Sequence, residues 1–232
     1  MLLLLAHPHD TTVPALLKRW AGTDAVLLTC AELSQVGWQL GVGTSASCAV
    51  VAGKPTPIGR ITGVLTRLSG ITANELPHIA AADRGYVAAE MTAFLMAWLH
   101  GLPCPVLNRP GPGCLMGPSH QPAWWLHAAA NAGLSVRPIR HPIKLQAEAP
   151  APANAATRAS VTVVGQKAHG AVDPALLEAA SKLAAATGVG LLQVHFSHEA
   201  AGAEVLGADL WPDLLAPGIA EAVLAHFEGG RA

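Results

Sequence analysis

An α/β fold built on a parallel sheet is what this sequence predicts, and three observations carry the expectation. Residues Arg60 to Pro110 read as strand, helix, strand. ITGVLTRL offers Ile61, Val64 and Leu65, a helix follows from about Asp83 to His100, and Val106-Leu107 is a short strand after Pro103 and Pro105 forbid further helix. Within that helix Val87, Met91, Phe94, Leu95, Trp98 and Leu99 share one face, and Gly101 can end it in a left-handed conformation. The same order opens the chain: Leu2–Ala6 is a compact apolar strand, a helix runs from about Thr12 to Trp20, and Asp24–Thr29 is the next strand.

A strand, a crossover and a second strand make a parallel unit, and such units bind ligands at the carboxyl ends of their strands. Arg67 stands at one such end, and Asn108 and Arg109 at another. The loop after Leu2–Ala6 is His7-Pro8-His9-Asp10-Thr11, where Asp10 or Thr11 can cap the following helix. If the loops after Ala6, Thr66, Leu107 and Phe196 open on one edge, they bring His7, Asp10, Arg67, Asn108 and His198 to one crevice. Arg67 reads either as an anion holder, through its planar fork, or as the partner of Glu90 in an ion pair.

The remaining elements follow in order. CAVVAGKPTPIGRI predicts an antiparallel ribbon at the sheet edge, turning at Gly53-Lys54-Pro55. A helical turn is expected near Ala73–Ala82. GPGCLMGPSHQP is a loop, Ala123–Ala132 a short helix closed by Gly133, and Ser135–Ile143 extended. Residues 144–159 are rich in Ala and Pro and read as a linker or lid remnant. Ser160–Val164 is a strand. Pro174–Thr187 is a helix with Asp173 as N-cap and Gly188 past its end, Gly190–Phe196 is a buried strand, and Ile219–Phe227 closes the chain. Trp124 and Trp125 are expected in the core, and Trp211-Pro212-Asp213 to pack the carboxyl terminus against the body.

Composition bounds the function. The chain is 51% hydrophobic and 12% charged, which favours a buried core over disorder. A net charge of −1 argues against nucleic acid as the main partner, since phosphate binding needs a basic face. MLLLLA is too short for a signal-peptide core and no run approaches a membrane span, so a cytoplasmic protein is expected. Cys30, Cys48, Cys104 and Cys114 lack C-x-x-C spacing and are expected as reduced thiols.

GVLTRL, DRGYVAAEMTAFLMAWL, PVLNRPGPGCLMG and LHAAANAGLSVRP, in that order, resemble the amino-terminal part of ATP-grasp ligases of the RimK-like and graspetide group. The resemblance puts Arg67, Tyr86 with Glu90, Asn108 with Pro110, and Ala132-Gly133-Leu134 on that group's pattern. It implies a Rossmann-like pre-ATP-grasp domain over 1–143, a linker or lid remnant over 144–159, and a shortened ATP-grasp remnant over 160–232. The carboxyl-terminal part departs from the pattern: the long central lobe is missing, no Glu-x-Asn pair is present to hold Mg²⁺, and Pro122 stands near the usual lysine. Phosphoryl transfer depends on metal and cationic groups against the phosphates. The expectation is therefore a degenerate, non-catalytic ATP-grasp-like subunit binding a peptide or small acid through Arg67, Asn108, Arg109 and Glu90. Mg-ATP binding is expected weak or absent. A homodimer or a complex with a larger biosynthetic enzyme is expected, since a lost lobe uncovers apolar surface.

Two other functions stay open. One is a working ATP-dependent carboxylate ligase with a reduced lid. The other is a metal-dependent hydrolase, because His7-Pro8-His9-Asp10 resembles the H-P-D-D motif of PIG-L-type zinc deacetylases. That resemblance implies zinc on His7 and Asp10, with His195 and His198 as the source of a third ligand such as His198. The plainer reading is a loop histidine and a helix-capping aspartate.

Overall fold

The computed structural model describes residues 1–41, 47–139 and 159–229. The chain divides into two compact units, 1–119 with 213–232, and 120–212.

The first unit is built on a parallel sheet. β1 (Leu2–Ala6) lies between β2 (Ala25–Leu28) and β5 (Gly63–Arg67), and β6 (Val106–Leu107) completes the order β2-β1-β5-β6. Registers run Leu2↔Ala25, Leu2↔Gly63, Ala6↔Arg67 and Leu65↔Leu107. Every residue of β1 and β5 is buried, because crossover helices cover both faces of a parallel sheet. Between these strands lie α1 (Thr12–Arg19), α2 (Cys30–Leu33) and α3 (Arg84–Gly101). Leu95, Trp98 and Leu99 of α3 pack with Leu3, Leu5, Val64 and Leu68, while Val87, Met91 and Phe94 flank that core half-buried. The closing helix α6 (Ile219–Gly229) belongs to this unit. Trp20 Nε1 donates to Ala220 O at 3.1 Å, Arg19 pairs with Glu221, and a Cβ on Gly63 would overlap the Phe227 ring.

The predicted ribbon exists as β3 (Cys48–Val51) and β4 (Lys54–Pro57), but as a separate two-stranded sheet rather than an edge of the main one. Its turn falls at Ala52 and Gly53, both with positive φ (50° and 72°), one residue earlier than expected. That is the twist a two-residue hairpin demands, and it overrides the poor fit of alanine there. The helical turn expected over 73–82 shortens to a 3₁₀ turn at Ala73–Glu75. Gly101 is the last helical residue of α3 and not a left-handed cap.

The second unit holds a different kind of sheet. β7 (Ala159–Val164), β8 (Lys167–His169), β9 (Leu191–Phe196) and β10 (Val205–Asp209) run in the order β10-β9-β7-β8, with every pairing antiparallel. α4 (Pro122–Asn131) and α5 (Pro174–Thr187) complete the unit. Asp173 caps α5 by accepting from Ala175 N at 2.9 Å, and Gly188 ends it at φ 68°. Ala159, expected in the linker, opens β7; the rest of 144–159 and residues 140–143 of the extended stretch lie outside the described residues. Trp125 is buried as expected, but Trp124 is part-exposed and stacks on His120 at 3.5 Å. Trp211 is 46% exposed and is not a core plug. Among the described residues, no helix is long and apolar enough to cross a membrane.

Candidate functional site

The carboxyl edge of the parallel sheet gathers polar groups from four consecutive strand ends. β1 runs into His7 and Asp10, β2 into Thr29 and Cys30, β5 ends on Arg67, and β6 is followed by Asn108. Parallel strands in register deliver their exits to the same edge, so residues far apart in sequence meet there.

Asp10 closes the loop after β1 and caps α1. Its Oδ1 accepts from Thr12 N at 2.7 Å and Val13 N at 3.1 Å. Its Oδ2 accepts from Arg67 Nε at 2.9 Å, with both side chains nearly buried. Burial pushes the Asp10 carboxyl up, but the Arg67 bond and charge and the two amides outweigh it and hold the group below its ordinary range. Arg67 is thus paired with Asp10 and not with Glu90, which is exposed on α3. Asn108 is buried at φ 58°, a left-handed conformation that asparagine tolerates.

Next to this pair lies a second cluster. His7 Nδ1 bonds Glu75 Oε1, and the Cys30 thiol lies beside that pair. The donor atoms of His7, Cys30 and Glu75 all lie within 4.8 Å of one another. Thr72 orients Glu75 by donating N–H at 2.9 Å and Oγ1–H at 3.0 Å to Oε2. Burial raises the Glu75 carboxyl, but His7 and Thr72 together bring it below the ordinary value. Burial, reinforced by the Glu75 charge, pushes the Cys30 thiol up to about 12.

Not all of the expected site residues converge here. Arg109 is spent on the end of α3: it donates to the carbonyls of Leu99, His100, Leu102 and Cys104. The Leu99 and His100 carbonyls are among the groups a helix terminus leaves unpaired, so Arg109 does the work expected of Gly101. His198 follows β9 in the antiparallel sheet of the second unit and is exposed, so the loops after Ala6 and Phe196 do not open on one sheet. Of the set His7, Asp10 and His198, Asp10 is committed to Arg67 and the amides of α1, and His198 belongs to the second unit.

Cys30 and Glu75 were missing from the sequence reading. The strand-end rule, applied to Asp24–Thr29 as well as to the other strands, points to Cys30. Thr72-Ala73-Asn74-Glu75 is a capping-box signature, but nothing local aims its glutamate at His7.

In the second unit two acids, Asp209 and Glu204, are paired. Asp209 Oδ2 meets His195 Nε2 at 2.6 Å, its Oδ1 accepts from Trp211 N at 2.7 Å, and Glu204 pairs with Arg137 at 2.8 Å. Burial raises the Asp209 carboxyl, but His195 and the Trp211 amide carry it below its usual range.

The sequence matches no protein-family profile and no curated protein. The fold matches solved structures over nearly the whole chain. Macrocyclase MdnB from Microcystis aeruginosa aligns with a TM-score of 0.64 at 17% identity, covering 97% of this chain and 99% of that one. ATP-grasp ligase PsnB, complexed with a minimal precursor, Mg and ADP, gives 0.64 at 15% identity, covering 98% of each chain. A RimK-domain ATP-grasp protein from Sphaerobacter thermophilus gives 0.53 at 16% identity, covering 100% of each. The chain therefore has the ATP-grasp-type fold shared by peptide macrocyclases and RimK-domain proteins, as its amino-terminal motifs led one to expect.

Proposed function

We propose that this chain is an ATP-grasp-like binding subunit of a biosynthetic pathway, taking a peptide or small acid without itself performing ATP-dependent ligation. The observation that carries the reading is the His195–Asp209 pair at 2.6 Å. A metal–phosphate clamp needs acidic oxygens free to face Mg²⁺. Here Asp209 is engaged by an imidazole and an amide, Glu204 is engaged by Arg137, and the sequence offers no Glu-x-Asn. These residues do not fit that clamp.

A peptide partner is supported by the fold. MdnC, PsnB and a Chryseobacterium gregarium ligase of this fold are each solved with precursor, leader or core peptide. In this chain the carboxyl edge of the parallel sheet, with Arg67 and Asn108, is the proposed ligand crevice; Arg109 and Glu90 drop out of it. Exposed Val36 and Tyr86 supply apolar surface for a second copy or a larger enzyme, and a cytoplasmic setting suits the free thiols.

Calorimetry with Mg-ATP tests the reading. We expect no saturable binding below the high-micromolar range; a micromolar Kd, about −8 kcal/mol, overturns it in favour of an active ligase. Titration with a short acidic peptide tests the crevice. Arg67→Lys should weaken that binding, and an unchanged affinity moves the ligand elsewhere.

A further inference from the structure

We infer that His7, Cys30 and Glu75 form a zinc-binding site at the carboxyl edge of the parallel sheet. The three residues come from three separate segments, each leaving that edge: the loop after β1, the first turn of α2, and the 3₁₀ turn after β5. Their nitrogen, sulfur and oxygen donors lie within 4.8 Å of one another. In a tetrahedral zinc site with bonds of about 2.0–2.3 Å, donor atoms sit roughly 3.3–3.7 Å apart. Closing the set around the ion brings the sulfur in by up to about 1 Å and parts His7 Nδ1 from Glu75 Oε1.

The donors also suit zinc. A thiolate with an imidazole and one carboxylate selects a borderline-soft cation and disfavours Mg²⁺ or Ca²⁺, which want oxygen only. Glu75 is held in place by Thr72 through the oxygen that does not face His7, the kind of outer support that ligating carboxylates receive. The His7 ring is anchored by its loop, where Asp10 N donates to His7 O at 3.0 Å. Cys30 is fully buried, which shields a metal-bound sulfur from oxidation. Three protein ligands leave a fourth position, and the His7 side chain, 30% exposed, is the side open to solvent. Asp10 is not one of the clustered donors; it holds Arg67 and the first amides of α1.

The exchange balances. Zn²⁺ enters, the Cys30 S–H bond breaks, and its proton leaves to solvent. His7 coordinates through Nδ1 as the neutral ring: the proton of its Glu75 bond passes to solvent, Nε2 holds the ring's one proton, and Glu75 Oε1 turns from that bond to the metal. A nucleophilic role for Cys30 is disfavoured by full burial beside an anion.

The inference stands apart from the binding-subunit reading: a chain without zinc can still bind peptide, and a zinc-bound chain can still bind Mg-ATP. The test uses the full chain, stripped with a chelator and reloaded with Zn²⁺ against a competing indicator. We expect one equivalent per chain, with Cys30→Ser and Glu75→Gln each weakening affinity at least about tenfold and His195→Ala leaving it unchanged. Co²⁺ loaded in place of zinc should give a thiolate-to-metal charge-transfer band in the wild-type protein. Binding below stoichiometry, affinity indifferent to Cys30→Ser, or a Co²⁺ form without the thiolate band overturns the site. The Co²⁺ spectrum decides even where the Cys30 variant fails to fold.

Discussion

Arg67 Nε donates to Asp10 Oδ2 at 2.9 Å, and the two side chains are only 10% and 7% exposed. The pair fastens the end of β5 to the loop after β1 across the register Ala6↔Arg67. A buried pair adds little over an apolar replacement, yet removing one partner strands the other. Asp10→Asn should therefore destabilise the first unit by about 3–5 kcal/mol in urea unfolding. Because the lost partner is the whole effect, Asp10→Asn combined with Arg67→Met should recover part of that loss. Additive losses in the double variant would show that the pair is not the linkage.

Gly63 faces Phe227, whose ring occupies the place a Cβ would take. Gly63→Ala should cost about 1–3 kcal/mol through overpacking. Added to Phe227→Leu, the same change should cost much less, a coupling that a double-mutant cycle reads directly. Equal costs in both backgrounds would mean that α6 does not seat on β5.

Acid should weaken the first unit in two stages. Burial holds the half-buried His226 below the ordinary histidine value of 6.5. A depressed folded pKa gives stability that is full above the unfolded value and is lost as pH falls through the folded one. Glu75 and Asp10, despite the opposing pull of burial, are held below 4.5 and 3.8, so they follow the same sign at lower pH. Urea midpoints should fall as pH drops below about 6.5, then further below about pH 4.5. His226→Gln should remove the first stage alone; a midpoint that is flat down to pH 5 in the wild-type protein would contradict its role.

The parallel unit was readable because each of its parts carries its own signal. β1 is a run of leucines bounded by His7-Pro8, α3 has a one-sided apolar face, and prolines 103 and 105 force the exit into β6. Strand direction in the second unit was not readable. Val161, Val163 and Val164 make the same apolar run whichever way the neighbour points, and the decision lies in the tight turn at Gly165 (φ 64°) that folds β8 back on β7. Partner choice was hidden for a similar reason. Glu90 and Asp10 are both acids within the reach of an arginine on paper, and only the register Ala6↔Arg67 brings one of them to it. Arg109 was misplaced because its motif position said nothing of the four carbonyls waiting at the end of α3. The Cys30–Glu75 approach spans a whole crossover and leaves no local trace.

Of the two units, the second is one continuous stretch, while the first is made of two, with α6 laid against Trp20 and Gly63. Synthesis proceeds from the amino end, so residues 120–212 leave the ribosome complete before α6 does. Until then the face of the parallel sheet that α6 covers is bare, with the Trp20 indole lacking the carbonyl it will bond. Domains fold as units as they emerge, so the half encoded later is the first that can finish. The half encoded first waits for α6 to close it.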